Sequence, residues 1–407
     1  MIDRDRLWND HMAMAEVGPT PGGGSCRLAL TDEDKAGRDL FRSWCEAAGL
    51  GVRIDACGNI FARRPGTDAD AAPVMTGSHL DTQPLGGRFD GIYGVLAGLE
   101  VMRALDDAGI RTRRPLEVVV WTDEEGVRFG GGCMASGVFA GVHPPERFLG
   151  GATPDGVTVA EELERIGYAG PEPCGGRPVH AFFEAHIEQG PVLEAEGRTV
   201  GVVLAGQGQR LFEVEVTGEE GHAGTLPMDR RKDAFVGAAR MAVALNDLAF
   251  RHRPVPVITT GRVFVKPNSR NTIPGGTRFS SDCRHPEEAT LEALEADMRT
   301  AMEGIAADAG LGLDIRRVSR REPVVMDPGC VATIREAAER LAIPHMDIYS
   351  GAGHDAFNLL KIAPTGMIFV PCEKGISHNE TENAKPDDLA AGAAVLLEAM
   401  VAYGERV

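Results

Sequence analysis

The sequence contains no stretch of about 18 uninterrupted apolar residues, the length that a membrane-spanning helix needs. It also lacks an excess of positive charge, because 42 basic residues stand against 60 acidic ones and give a net charge of −18. A chain without a general positive field does not attract phosphates, so we expect neither a membrane nor a nucleic acid as its partner. A small anionic substrate, held by one or two local arginines, is compatible with this composition.

Cysteines are few and lack the short spacings of redox motifs. Eight occur among 407 residues, and none forms a Cys-x-x-Cys pair. This density in a long chain indicates buried or free thiols in a reducing compartment rather than a disulfide framework. The segment 1–6 is rich in charge and is not followed by the apolar region of a secretory signal, so we expect a cytoplasmic protein.

The first half of the chain alternates strand and helix patterns. Residues 73–79 and 116–121 are apolar and partly β-branched, which is typical of buried strands, and the apolar segment 92–105 between them is typical of a helix. A strand, a helix and a strand in this order predict a βαβ unit within a sheet that is covered by helices on both faces.

The pattern changes after residue 208. Segment 211–216 alternates apolar and polar residues, as a half-exposed strand does. The patterns that follow have the order β-α-β-β-α-β, which is that of a split βαβ sandwich. We therefore predict an α/β fold in which a discontinuous domain, 1–208 with 323–407, has a central mixed sheet flanked by helices. A smaller ferredoxin-like α+β domain, 209–322, interrupts it.

Five candidate metal ligands lie in short motifs of the larger domain: His79, Asp90, Glu125, His186 and His378. A mixed set of imidazoles and carboxylates suits two divalent ions that share one carboxylate, and Asp90, in a glycine-rich segment, is the natural bridge. A single histidine after a strand is more often a packed or surface residue. The hypothesis therefore depends on the five residues occurring together.

Two further acids have positions that suggest roles. Asp81 follows His79 by two residues, where its carboxylate is well placed to hold the second imidazole nitrogen. Glu124 stands beside Glu125 at the end of a predicted strand and would stay unligated, as the base that accepts a proton from the attacking water. The alternative for the acidic triplet 123–125 is a solvated turn. With the metal ligands, these acids predict metal-assisted hydrolysis.

The set resembles the family of dinuclear zinc aminoacylases and aminopeptidases. Within it, the chain is most similar to the amidase branch of N-carbamoyl-amino-acid amidohydrolases, β-ureidopropionases and allantoate amidohydrolases. The motifs that carry the resemblance are spread over nearly the whole chain, at 77–84, 86–91, 122–129, 184–191, 221–224, 270–274 and 350–356. The stretch 186–190, His-Ile-Glu-Gln-Gly, looks like the amidase branch in particular.

The resemblance implies that the larger domain is catalytic and that the smaller one is a lid through which two subunits form a homodimer. It implies one metal set of His79, Asp90 and His186, and a second set of Asp90, Glu125 and His378. The implied cofactors are two divalent ions per subunit, with Zn²⁺ first and Mn²⁺, Co²⁺ or Ni²⁺ according to availability.

The lid domain also contributes to the site in the proteins that the chain resembles. His222 resembles a residue that one subunit delivers to the site of the other, to polarise the scissile carbonyl or stabilise its oxyanion. Asn271 and Arg284 resemble the residues that hold the substrate's carboxylate, which an arginine meets bidentately. Without the resemblance, Arg270 and Arg278 are equal candidates.

We expect Gln189, Gly353 and His354 to contact the ureido end of a small anionic substrate. The predicted reaction is hydrolysis of the carbamoyl C–N bond of N-carbamoyl-β-alanine or an N-carbamoyl-L-amino acid, to an amino acid, ammonia and CO₂. Three alternatives stay open: an allantoate or ureidoglycolate amidohydrolase, an aminoacylase or dipeptidase, and a dimeric binding protein without catalysis.

Overall fold

The structure is a computed structural model that describes residues 1–405. Its strands are β1 (Gly51–Ile54), β2 (Ile60–Arg64), β3 (Val74–His79), β4 (Leu116–Trp121), β5 (Ala181–Ile187), β6 (Val200–Gly206), β7 (Gly208–Thr217), β8 (Gly221–His222), β9 (Val257–Lys266), β10 (Thr272–Ile273), β11 (Gly276–His285), β12 (Gly312–Arg321), β13 (Val324–Val325), β14 (His345–Ser350) and β15 (Thr365–Val370).

The α-helices are α1 (Arg4–Ala15), α2 (Asp32–Ala47), α3 (Ile92–Asp107), α4 (Met134–Phe139), α5 (Pro145–Leu149), α6 (Val159–Ile166), α7 (Val192–Ala195), α8 (Ala234–Ala249), α9 (Glu288–Ala309), α10 (Pro328–Arg340), α11 (Asp355–Leu359) and α12 (Pro386–Gly404). Short 3₁₀ helices lie at Met228–Arg230 and Glu373–Gly375. None of the helices in residues 1–405 combines the length and apolar character that crossing a bilayer requires.

The chain divides into two compact units. The first joins Met1–Leu204 to the chain from Met326 onward, and the second is Ala205–Val325. A mixed sheet has the strand order β1-β2-β4-β3-β5-β15-β6-β13, with β14 paired to β6. Strands β3, β4, β5 and β15 are buried at every residue, as expected of strands that helices cover on both faces. The predicted βαβ unit is present as β3, α3 and β4.

Small residues let α3 lie close to the sheet. A Cβ atom at Gly94 would stand 2.4 Å from the carbonyl oxygen of Ala185, and one at Gly98 would stand 2.9 Å from Thr76 Cγ2. Strands β3, β4 and β5 run parallel to one another, so their carboxyl ends meet at one edge of the sheet. That is the edge at which α/β sheets present their sites.

The second unit contains an antiparallel sheet with the order β12-β7-β11-β9, against which α8 and α9 pack. Its main elements follow the predicted order β-α-β-β-α-β, with the first and third strands in the centre. Phe212, Val214 and Val216 of β7 enter the hydrophobic core of this unit, whereas Glu215 is exposed, which confirms the predicted alternation. That the second unit acts as a lid and as a dimerisation domain remains a prediction.

Candidate active site

The five candidate metal ligands lie together in the first unit. His79, Asp90 and His186 each offer one ligand atom, and these three atoms lie within 4.8 Å of one another. Asp90, Glu125 and His378 form a second group within the same limit. Asp90 belongs to both groups, and its two carboxylate oxygens face different imidazoles: Oδ1 lies 3.2 Å from His186 Nε2, and Oδ2 lies 3.2 Å from His378 Nε2. This is the arrangement that a carboxylate bridging two ions requires.

Hydrogen bonds to the backbone set the orientation of two of the imidazoles. His79 Nδ1 lies 2.9 Å from the carbonyl oxygen of Asp81, and His186 Nδ1 lies 2.9 Å from the carbonyl oxygen of Ile187. Because a carbonyl only accepts, each Nδ1 carries a hydrogen, which in a neutral imidazole places the lone pair on Nε2, the nitrogen that would meet a metal ion. At His186 this nitrogen accepts a hydrogen bond from the Gly91 N–H at 3.2 Å, which a metal ion would replace. The donor set and its tautomers therefore fit divalent ions such as zinc.

The electrostatics of the cluster also fit cations. Burial raises the pKa of Glu125 to about 7, although the nearby His79 counteracts it. Burial acts to lower the pKa of His79, but the surrounding carboxylates, Glu124 first, raise it well above its usual value. A hydrogen bond to Asp90 raises the pKa of His378 to about 9. Imidazoles and carboxylates of the cluster thus hold protons more tightly than usual, and divalent ions would take the place of these protons.

The predicted contact between the Asp81 carboxylate and His79 is wrong. The carboxylate oxygen lies 3.9 Å from His79 Nδ1, which instead donates to the Asp81 carbonyl. The carboxylate accepts hydrogen bonds from the backbone N–H groups of Glu124, at 3.3 Å, and Glu125, at 3.1 Å. A buried carboxylate needs such donors, and these two N–H groups provide them. The side chain of Asp81 therefore orients the acidic loop, while its backbone carbonyl orients the imidazole.

The acidic triplet is not a solvated turn. Asp123 is buried, and the side chains of Glu124 and Glu125 are 11% and 6% exposed. Glu124 belongs to neither ligand group, yet its Oε2 lies 3.5 Å from His79 Nε2. It is therefore a carboxylate outside both ligand groups and directly beside the candidate ligands, as a general base must be.

Cys133 holds Glu124 in place, a contact that the sequence analysis missed. Its thiol donates to Glu124 Oε1 at 2.9 Å, and its backbone N–H donates to the Glu124 carbonyl at 2.8 Å. Asn358 Nδ2 in turn donates to the Cys133 carbonyl at 2.9 Å. Cys133 has a φ of 56°, a left-handed conformation that is uncommon for a residue with a side chain. The available signal was a thiol directly after three glycines, close to the acidic triplet.

Glu382 is a second residue that the sequence analysis missed. Its carboxylate accepts hydrogen bonds from the backbone N–H groups of Phe89, at 2.9 Å, and Asp90, at 3.1 Å. Ser377 Oγ contacts both Glu382 and Asp90, at 3.0 and 3.1 Å. A Cβ atom at Gly87 would stand 1.9 Å from the Glu382 carboxyl carbon. The glycine-rich segment therefore makes room for the acid that positions the bridging aspartate.

Two of the predicted substrate contacts border the cluster directly. Gln189 Nε2 donates to Asp90 Oδ2 at 2.9 Å. The His354 ring stands 4.6 Å from that of His186, edge to face, and its Nε2 lies 2.9 Å from Ser350 Oγ. Burial, followed by the charge of His186, holds the pKa of His354 well below its usual value. Beside it, the position of a Cβ at Gly353 has no atom within 4 Å, so this part of the backbone borders open space.

The other three predicted site residues lie in the second unit. His222 in β8 stands opposite Thr272 in β10, and the neighbouring Ala223 N–H donates to the Asn271 carbonyl at 2.9 Å. His222 is exposed, and its Nδ1 accepts from the Gly224 N–H at 3.0 Å. In a neutral imidazole this places the hydrogen on Nε2, which can donate to a carbonyl oxygen.

Arg284 lies on β11, apart from the β8–β10 pair. It forms an ion pair with Asp282 at 2.9 Å, and its side chain is 38% exposed. The structure thus brings His222 and Asn271 together within the second unit and places Arg284 on another sheet.

These features define a metal-dependent hydrolase of a known class. The model for Peptidase family M20/M25/M40 matches residues 75–402, and the chain belongs to this family. The predicted resemblance and the predicted α/β fold class are confirmed by this match and by the relatives that follow.

Several named proteins are similar over nearly their full length. An N-carbamoyl-L-amino-acid amidohydrolase of Rhizobium meliloti is 47% identical over 406 residues, which covers 100% of this chain and 98% of the relative. The allantoate amidohydrolase of Escherichia coli (strain K12) is 36% identical over 388 residues, or 94% of each chain. A solved structure, an amidase of the hydantoinase/carbamoylase family from Burkholderia multivorans, superposes with a TM-score of 0.96 at 56% identity, covering 100% of this chain and 98% of that one.

Proposed function

We propose that the protein hydrolyses N-carbamoyl-L-amino acids to the amino acid, ammonia and CO₂. One observation carries the proposal: two groups of possible metal ligands overlap at Asp90, beside a carboxylate, Glu124, that belongs to neither. The Rhizobium meliloti relative supports the choice of substrate, since its name specifies an N-carbamoyl-L-amino acid and it matches the chain from end to end.

Two divalent ions would be held by the residues of the two groups, one by His79, Asp90 and His186, and the other by Asp90, Glu125 and His378. When bound, such ions polarise a carbonyl and lower the pKa of a water molecule. Zn²⁺ suits these donors, and Mn²⁺, Co²⁺ and Ni²⁺ accept the same imidazole and carboxylate atoms.

The chain's own residues move the proton and hold the substrate. Glu124 accepts the proton of the attacking water and passes it to the leaving nitrogen, while Asp81 and Cys133 fix the loop and the carboxylate that do so. Asn271 and Arg284 hold the substrate's carboxylate. Contacts with the ureido group come from Gln189, Gly353 and His354.

A substrate panel tests this function. The kcat/KM for ammonia release should be highest with N-carbamoyl-L-amino acids and lower with N-carbamoyl-β-alanine and allantoate. A chelator should abolish ammonia release until metal is restored. The Escherichia coli relative makes allantoate the second candidate. If hydrolysis of N-acetyl-L-amino acids or dipeptides exceeds that of every ureido substrate, the proposal is wrong.

Loss of the Cys133 thiol should slow turnover without removing metal. A single hydrogen bond is worth about 1 kcal/mol, which corresponds to about a fivefold lower kcat for Cys133→Ala at an unchanged KM. The Cys133→Ser variant keeps a donor and should retain most of the activity. Measurement of kcat, KM and metal content in both variants checks this. Equal losses in the two variants would show that the thiol fills space and does not orient Glu124.

We further propose that the second unit mediates a homodimer and that His222 serves the site of the partner subunit. Two features of this residue support the proposal. It is exposed, and its Nδ1 accepts from the Gly224 N–H, so the neutral imidazole carries its hydrogen on Nε2. A donor of this kind can stabilise the oxygen on which negative charge develops during hydrolysis.

Complementation between two inactive variants tests this role. A mixture of His222→Ala and Glu124→Gln should regain activity, because each mixed dimer combines an intact Glu124 from one chain with an intact His222 from the other. Random exchange makes half of the dimers mixed, each with one intact site of two, so about one quarter of wild-type activity should return. No recovery, with exchange verified by tagged subunits, contradicts the assignment.

A further inference from the structure

A further group of possible ligands lies in the first unit, outside the candidate active site. Asp55, Cys57 and Cys174 each offer one ligand atom, and these three atoms lie within 4.8 Å of one another. None of the three has a part in the proposed hydrolysis. Their chemistry also differs from that of the active site, whose candidate ligands are imidazoles and carboxylates.

The backbone brings the two thiols together. Asp55 forms a parallel β-bridge with Glu172, and the Ala56 N–H donates to the Glu172 carbonyl at 2.7 Å. After this bridge the first segment turns, with the Gly58 N–H donating to the Asp55 carbonyl at 2.9 Å. Cys57 and Cys174 each follow the bridged pair by two residues, and their sulfur atoms lie within 4.8 Å of one another.

The carboxylate of Asp55 is held by backbone and amide donors and has no cation beside it. It is 1% exposed and accepts hydrogen bonds from Cys57 N, at 2.9 Å, from Asn59 N, at 3.0 Å, and from Asn59 Nδ2, at 2.9 Å. Within residues 1–405, no lysine or arginine forms an ion pair with it. A carboxylate has about four acceptor positions, and the Cys174 thiol contacts the remaining one. A cation that replaces this thiol proton would bind the carboxylate at that position.

We propose that Asp55, Cys57 and Cys174 bind one thiophilic divalent ion, such as Zn²⁺, with a fourth position left for water. Zinc–sulfur bonds are about 2.3 Å long, so two sulfur ligands of one ion stand at most about 4.6 Å apart. The three candidate ligand atoms lie within 4.8 Å of one another, which is compatible with this separation. Binding releases the two thiol protons to solvent and involves no change of oxidation state. Cys57 is buried, whereas Cys174 is half-buried and gives the ion a route from solvent.

The charge of the site suits a cation once the thiols have lost their protons. Two thiolates and one carboxylate then stand together, and a divalent ion supplies the positive charge that they lack.

The ion would clamp a segment that adjoins the active site. Asn59 Nδ2 lies 2.9 Å from Asp55 and 3.5 Å from Cys174 Sγ, and its Oδ1 accepts from the Thr122 N–H at 3.0 Å. Thr122 directly precedes the acidic triplet. Metal at this site therefore ties the 55–59 turn and the 172–174 segment to the end of β4.

Cadmium absorption tests the site in the full-length, metal-loaded protein. Cd²⁺ bound to thiolates absorbs in the ultraviolet through charge transfer, whereas imidazole and carboxylate ligands give no such band. With thiols kept reduced by a phosphine, added Cd²⁺ should produce the band up to one ion per chain, and Zn²⁺ should compete it away. The absence of a saturable band in the wild-type protein would overturn the proposal.

Four variants make the test specific. Cys174→Ser should lose the absorption band and bind one ion per chain fewer than the wild type. Cys57→Ala should independently lose the same band. Cys26→Ser, which changes another half-buried cysteine, and Cys133→Ser, which removes the thiol nearest the active site, should keep the band. An undiminished band in folded Cys174→Ser, or its loss in Cys133→Ser, would contradict the assignment. Neither result bears on the proposed hydrolysis.

Discussion

The Glu124→Gln variant should keep its metal and lose about 10²–10⁴-fold in kcat, the range typical of a general acid–base residue. The amide has nearly the shape of the carboxylate but cannot accept the proton of the attacking water. Glu125 and the other candidate ligands are unchanged, so metal content measured by elemental analysis should equal that of the wild type.

The matched control is Glu164→Gln, the same chemical change at an exposed position of α6. It should behave as the wild type in both assays. If metal-replete Glu124→Gln also retains near wild-type turnover, Glu124 is not the base. If Glu124→Gln loses metal together with activity, Glu124 is a metal ligand, and the assignment of Glu124 as the base and Glu125 as the ligand is wrong.

The Asp90→Ala variant should lose both activity and metal. Asp90 is common to the two ligand groups, and its oxygens lie 3.2 Å from His186 Nε2 and 3.2 Å from His378 Nε2. Without a shared anion, two neighbouring cations repel each other, so at least one ion per chain should be lost relative to the wild type. Turnover should fall to the background of the chelated enzyme.

Asp70→Ala, at an exposed position away from the cluster, is the control and should retain full metal and activity. An Asp90→Ala protein that binds as many ions as the wild type, with similar affinity, would show that Asp90 is not the bridge.

Much of the fold could be predicted because its patterns are local. Strands β3 and β4 are continuous apolar segments, as buried parallel strands must be, and β7 alternates with a period of two because only one face enters the core. The candidate ligands could be named for a related reason. His79 and His186 lie at the carboxyl ends of β3 and β5, and Glu125 follows β4. The carboxyl ends of parallel strands meet at one edge of the sheet.

The contacts that could not be predicted join residues far apart in the chain. The Asp81 carboxylate meets N–H groups 43 and 44 residues later, and Glu382 meets that of Phe89 across 293 residues. Which donor reaches a buried carboxylate depends on how loops pack, and spacing along the sequence carries no information about this. Cys133 stands only nine residues from Glu124, yet the left-handed turn that aims its thiol has no signature beyond the glycines before it.

The most direct test of the central claim is a metal titration of the metal-free enzyme, followed by ammonia release from an N-carbamoyl-L-amino acid. Mn²⁺ is the ion of choice because it binds imidazole and carboxylate oxygen but is poorly held by thiolates. The account predicts no turnover without metal and an activity that rises until two ions are bound per chain and then stays constant. Turnover by the metal-free enzyme, or full activity with the Asp90→Ala protein, would contradict it.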